Sequence, residues 1–103
     1  ESSEAVGQRI DAAWAHSLER NGGVPNARLR GQQLLHVCAL DRDARRALDD
    51  LARQLELTAR GIHRLLRVSR SIADLRARTS VREEHLAAAA SLHDRSFEQP
   101  AAA

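Results

Sequence analysis

Apolar positions recur along this chain at helical spacing, and five stretches carry the pattern. The strongest runs Leu57-Thr-Ala-Arg-Gly-Ile-His-Arg-Leu-Leu-Arg-Val-Ser-Arg-Ser-Ile-Ala-Asp-Leu75. At about 100° per residue, Ile62, Leu65, Leu66, Val68, Ser69, Ile72, Ala73 and Leu75 fall on one side. Arg60, Arg64, Arg67, Ser71 and Asp74 fall on the other, with His63 and Arg70 at its edge. Thr58 can accept from the N–H groups that follow it, so it marks the helix start. The pattern predicts a helix of about five turns with one buried and one arginine-lined face.

The other stretches read in the same way. Over residues 1–20, Val6, Ile10, Ala13, Trp14, Ser17 and Leu18 make a stripe, and Asn21-Gly22-Gly23 ends it. Pro25 confirms a connection, and Trp14 is expected in the core. A short helix is expected over 31–37, with Cys38 as a small buried hydrophobe. Asp41 caps an amphipathic helix ending near Leu55. Asp41–Arg45 and Asp49–Arg53 are expected as i,i+4 pairs on it. Ser80-Val-Arg-Glu83 reads as a capping box before a last helix whose apolar positions are Val81, Leu86, Ala89, Ala90 and Leu92. The run Ala87 to Ala90 suits close helix–helix approach. Three segments follow: 1–25 as a first helix with its Gly/Pro connection, 26–94 as a helical domain, and 95–103 as a tail.

Composition sharpens this picture. The 103 residues hold 43% hydrophobic positions, with 14 Leu, 5 Val, 3 Ile, one Trp and one Phe. Few β-branched or aromatic residues and much Ala, Leu and Arg predict an all-α fold, a small bundle of four to five helices. The formal net charge is only +2, and all 16 basic residues are Arg. So mild a balance does not by itself imply nucleic acid, and local clustering must carry that case. The single Cys38 excludes an intrachain disulfide and suits a cytoplasmic location. No apolar run is long enough for a membrane span. The chain opens on Glu1 and contains no Met, so a piece of a longer polypeptide is expected.

Catalytic signatures are missing. Without Lys there is no P-loop, and Gly-x-Ser-x-Gly, Cys-x-x-Cys and His-Glu-x-x-His are also absent. His36 with Cys38 makes too small a set for a metal, so no metal site is expected. This chain alone is not expected to be an enzyme. The arginine face remains. Arg60 sits in the first turn beyond Thr58, where helix N–H groups and the dipole favour anions, and a guanidinium fork suits phosphate oxygens. The competing view is a solvated face, with Arg67 and Arg70 neutralised by Asp74.

Thr58 to Leu75 resembles the signature helix of the C-terminal domain of magnesium chelatase-like AAA+ ATPases, nearest the bacterial competence-associated branch. That signature reads approximately Leu-Ser-x-Arg-x-x-x-Arg-Ile-Leu-x-Val-Ala-Arg-Thr-Ile-Ala-Asp-Leu. Arg9, Asn26-Ala-x-Leu29, Cys38-Ala-Leu40 and Glu84-His85-Leu86 match flanking features. The departures are Ser69 and Ser71 for Ala and Thr, and Ala88-Ala-Ala-Ser-Leu-His93 where Glu-Ala-Leu-x-Tyr-Arg is usual; Arg95 is out of register.

The resemblance implies a helical lid beside a separate α/β core that brings the P-loop and binds ATP with Mg2+. It implies that Arg60 is a catalytic residue of the sensor-2 type, reaching the ATP phosphates, and that Arg64 binds nucleotide or a neighbouring subunit. Its implied partners are the protein's own AAA+ core, the adjacent subunits of a ring, usually a hexamer, and DNA during recombination. The chelatase branch would instead insert magnesium into a porphyrin. An alternative reading needs no ATP: Arg67 and Arg70 would contact nucleic acid from a helix–turn–helix broken near Val68. A third reading is an interaction module built on Trp14 and the alanine-rich last helix.

Overall fold

A computed structural model describes residues 2–97, with side chains described through Leu92. Among these residues the chain is all helical. The elements are α1 (Ser3–Arg20), a 3-10 turn (Asn26–Arg28), α2 (Gly31–Cys38), α3 (Arg42–Gln54), α4 (Ala59–Leu75) and α5 (Glu83–Phe97). The expected bundle of four to five helices is what forms. The tail expected over 95–103 overlaps the end of α5, and residues 98–103 lie outside the described residues.

Local chemistry sets most boundaries. Asp41 Oδ1 accepts from the Ala44 N–H at 2.8 Å and starts α3. Thr58 Oγ1 accepts from the Gly61 N–H at 3.1 Å and starts α4. Both satisfy N–H groups that a helix start leaves unpaired. α1 closes on Gly22, whose φ of +67° lets the Gly23 N–H reach back to the Leu18 carbonyl at 2.7 Å. α5 departs from expectation. It begins at Glu83 rather than just beyond Ser80, and His85 Nδ1 accepts the Arg82 N–H at 2.9 Å. Val81 is held earlier still, its N–H donating to the Cys38 carbonyl at 2.9 Å.

The core joins Leu29, Leu34, Val37 and Cys38 to Ala44 and Leu48 of α3, to Leu65, Leu66 and Ala73 of α4, and to Val81, Leu86, Ala89 and Ala90. α4 is its axis and touches α1, the 3-10 turn, α2 and α5. Ala89 and Ala90 are buried as expected, but Leu92 is 48% exposed. The expected pairs on α3 are replaced by Arg53–Asp50 at 2.5 Å and Arg82–Asp41 at 3.7 Å, both exposed.

α1 is the main surprise. It sends no hydrophobic residue into the core, and Ser17 is its only buried residue. Trp14, expected inside, is 55% exposed, and Ile10 is 50% exposed. A stripe at helical spacing is buried only where another element covers it. Here α4 meets α1 chiefly through polar groups at its C-terminal end.

Candidate functional site

α4 continues through Val68 and Ser69 without a break. Ser69 is buried, and its hydroxyl donates to the Leu65 carbonyl at 2.7 Å. The helix–turn–helix cut near Val68 therefore does not exist, and the arginines stand on one rigid rod.

Arg60 is exposed in the first turn, beside the Thr58 cap. An open hollow of about 260 Å³ lies there, lined by Leu57, Thr58, Arg60, Gly61 and Arg64 among others. Arg64, also exposed, stands one turn on and borders a second hollow of about 330 Å³ with Ala27, Arg67, Val68 and Ser71. The two hollows thus share Arg64 and form one cationic strip beginning at a helix N-terminus. Such a strip offers planar guanidinium donors and the positive end of a helix dipole to an anion.

Arg67 is half-buried, and its Nε donates to the Leu29 carbonyl at 2.8 Å. One edge of its guanidinium is therefore committed to holding the 3-10 turn. Arg70 does not belong to the face at all. It is fully buried, with Nη1 donating to the carbonyls of Val37 at 2.6 Å and Thr79 at 3.1 Å. Its Nη2 donates to the Arg78 carbonyl at 2.7 Å and pairs with Asp74 at 3.0 Å. The expectation that Arg70 meets nucleic acid is overturned: its donors face the protein interior. A position at the edge of two helix faces leaves a long side chain free to turn inward, and here three carbonyls draw it there.

Asp74 was placed with the exposed polar set, yet it is buried too. It pairs with Arg70, but Arg67 does not reach it as supposed. The second partner is Arg20 of α1, whose Nη1 and Nη2 donate to Oδ1 at 2.6 Å and Oδ2 at 3.2 Å. Asn26 adds a bond from Nδ2 to Oδ2 at 2.8 Å. Burial pushes the Asp74 carboxyl up, but the bonds from Arg20 and Asn26 and the charge of Arg70 outweigh it and hold it below the usual range. Asn21 completes the cluster, donating to the Val24 carbonyl and to Asn26 Oδ1, each at 2.8 Å. Sequence reasoning missed Arg20, Asn21 and Asn26 as one unit. The available signal was an Asn pair flanking the Gly/Pro connection, next to an arginine at a helix end.

Among the described residues no group of three or more His, Cys, Asp or Glu gathers to hold a metal. No helix among them is long and apolar enough to cross a membrane.

Comparison with known proteins agrees with this architecture. The sequence profile described as magnesium chelatase, subunit ChlI C-terminal, matches residues 1–93. The protein YifB of Salmonella typhimurium is 37% identical over 91 residues, covering 88% of this chain and 18% of that protein. The competence protein ComM of Haemophilus influenzae is 36% identical over 90 residues, covering 86% of this chain and 17% of its own length. The chain thus spans less than a fifth of these relatives. No solved structure gives a significant match. A matched region reaching from α1 into α5, on an all-helical fold built around the arginine-bearing α4, makes this chain a member of the magnesium chelatase subunit ChlI C-terminal family.

Proposed function

We propose that this domain is the helical lid of an AAA+ ATPase and that Arg60 reaches the phosphates of ATP held by a core carried elsewhere in the same polypeptide. The observation that carries the reading is the position of Arg60: exposed, in the first turn of α4, beside a hollow at the helix N-terminus. The chemistry fits the ligand. ATP presents a polyanion, and Arg60 together with the dipole of α4 presents fixed positive charge. When the phosphoanhydride bond breaks, charge grows on the terminal phosphate and its leaving oxygen, and a guanidinium there lowers the barrier. The magnesium that accompanies ATP belongs, in this reading, to acids of the core.

Arg64 stands one turn further on, placed to meet the nucleotide or an adjacent subunit of a ring, which we take to be a hexamer. Because both arginines sit on one rod, a change at the phosphates turns α4 and whatever packs on it. For the whole polypeptide we propose ATP-driven motion on DNA in recombination, in the cytoplasm. The competence name of the Haemophilus relative supports that output over metal insertion into a porphyrin.

The test is ATP turnover of the full-length protein carrying Arg60→Ala, beside Arg67→Ala. Removing one charge-stabilising donor is expected to slow turnover about 10²–10³-fold. Arg67→Ala is expected to stay within a few-fold, its helix content unchanged by circular dichroism. Wild-type turnover in Arg60→Ala would end the phosphate assignment. DNA affinity and its salt dependence would then be the property to measure for the strip.

A further inference from the structure

We infer that the apolar hollow between α1 and α4 is the seat of the protein's own nucleotide-binding core, which covers it together with the arginine strip. The inference rests on the lid reading for the identity of the occupant. It assigns a docking surface to residues which that reading leaves unused.

The hollow encloses about 170 Å³ and is walled mainly by Ile10, Ala13, Trp14 and Leu75. Three of these are large apolar side chains left open: Ile10 at 50%, Trp14 at 55% and Leu75 at 43% exposure. A small domain seldom leaves such side chains grouped unless something covers them. α1 is also held in an unusual way. Its anchor is the Arg20 clamp on Asp74 and Asn26, while its apolar stripe contributes nothing to the hydrophobic core. The helix is fixed with its hydrocarbon side outward.

Continuity names the occupant. Ser71 lines this hollow and also the one between Arg64 and Arg67. Arg64 in turn borders the hollow at Arg60. One unbroken surface therefore leads from Trp14 to Arg60, apolar at one end and cationic at the other. A body that brings phosphates to Arg60 and seats on α4 lies against Trp14 as well. The chain covers only 17–18% of its relatives, so most of such a polypeptide is available in cis. A tethered partner docks at high effective concentration, and a modest apolar patch suffices to hold it. Nucleic acid fits the apolar end poorly, because a hydrocarbon hollow with one aromatic ring is no stacking track.

Hydroxyl-radical footprinting of the full-length protein tests the surface. Leu35, 46% exposed on α2 and outside all three hollows, is the internal reference. After correction for intrinsic reactivity, Trp14 and Leu75 are expected to oxidise about five-fold more slowly than Leu35 where the protein is monomeric, with the same protection after assembly. Trp14→Asp is expected to return Leu75 to the rate of Leu35. Equal rates at Trp14 and Leu35 in the unsubstituted protein overturn the inference. Protection that appears only on assembly, or only on adding DNA, also overturns it, by assigning the hollow to a second copy or to nucleic acid. Normal ATP turnover in Arg60→Ala with Trp14 still protected would remove the phosphate assignment and leave the docking surface standing.

Discussion

Arg70 shows how much one side chain can hold together. Its guanidinium binds the carbonyls of Val37, Arg78 and Thr79 and pairs with Asp74. Val37 lies in the last turn of α2, where carbonyls have no partner further along the helix. Arg78 and Thr79 lie in the loop that leads to α5. Arg70 thus ties two ends of chain to the middle of α4. Removing one partner of a buried charged network costs about 3–5 kcal/mol. We expect Arg70→Met to lose that much in urea denaturation, a large share of the roughly 5–15 kcal/mol that holds most domains folded. Arg70→Lys should recover little, because one ammonium cannot span three carbonyls at once. None of this was readable from periodicity. The only hint was Asp74 at i+4, and it gave the pairing but not the burial.

At the scale of elements, helix starts were legible and several helix ends were not. Thr58 and Asp41 cap where their side-chain oxygens predict, because a cap is local chemistry. Gly22 ends α1 in the left-handed region that glycine favours. α2, α3 and α4 end on left-handed Ala39, Glu56 and Ala77, at φ +49°, +51° and +56°, and no residue type announced them. At Glu56 and Ala77 the following N–H groups still reach back, Leu57 to Ala52 and Arg78 to Ala73, each at 2.9 Å. In the candidate site, Arg60 and Arg64 were readable because they need only point away from the core. Trp14 and Asp74 were misplaced because their burial depends on how α1 crosses α4, a contact between distant parts of the chain. The clamp at that crossing makes its own prediction. Arg20→Ala removes a bidentate grip and leaves no hydrophobic anchor for α1. We expect hydrogen exchange in α1 to speed up by at least tenfold while the buried turns of α4 and α5 keep their protection. Equal acceleration throughout would mean that α1 and the core open as one unit.

For the whole molecule, α4 is a rod of 17 residues, about 25 Å long, with Arg60 at one end and the Asp74 clamp near the other. Its buried polar groups also set the response of the domain to acid. His85 must be neutral to accept the Arg82 N–H. Burial lowers its pKa, Glu84 opposes, and Arg76, Arg70 and Arg78 lower it further. The unfolded chain therefore binds a proton first, near pH 6.5, and stability is lost as pH falls from there through the lower folded value. Asp74 acts in the same direction further down, present above about pH 4 and lost below it. We expect Tm to decline in two steps on acidification, with His85→Asn flattening the first.

Cys38 sits where these parts meet, fully buried, its sulfur 3.8 Å from the Leu66 carbonyl. Burial pushes its thiol up to about 11, against the pull of Arg70 and Arg20. While the fold holds, that sulfur is protonated and out of reach of reagents. As the only cysteine in the chain, it is a built-in clock: each alkylation event records an opening of the core, with no label to introduce and no background to subtract.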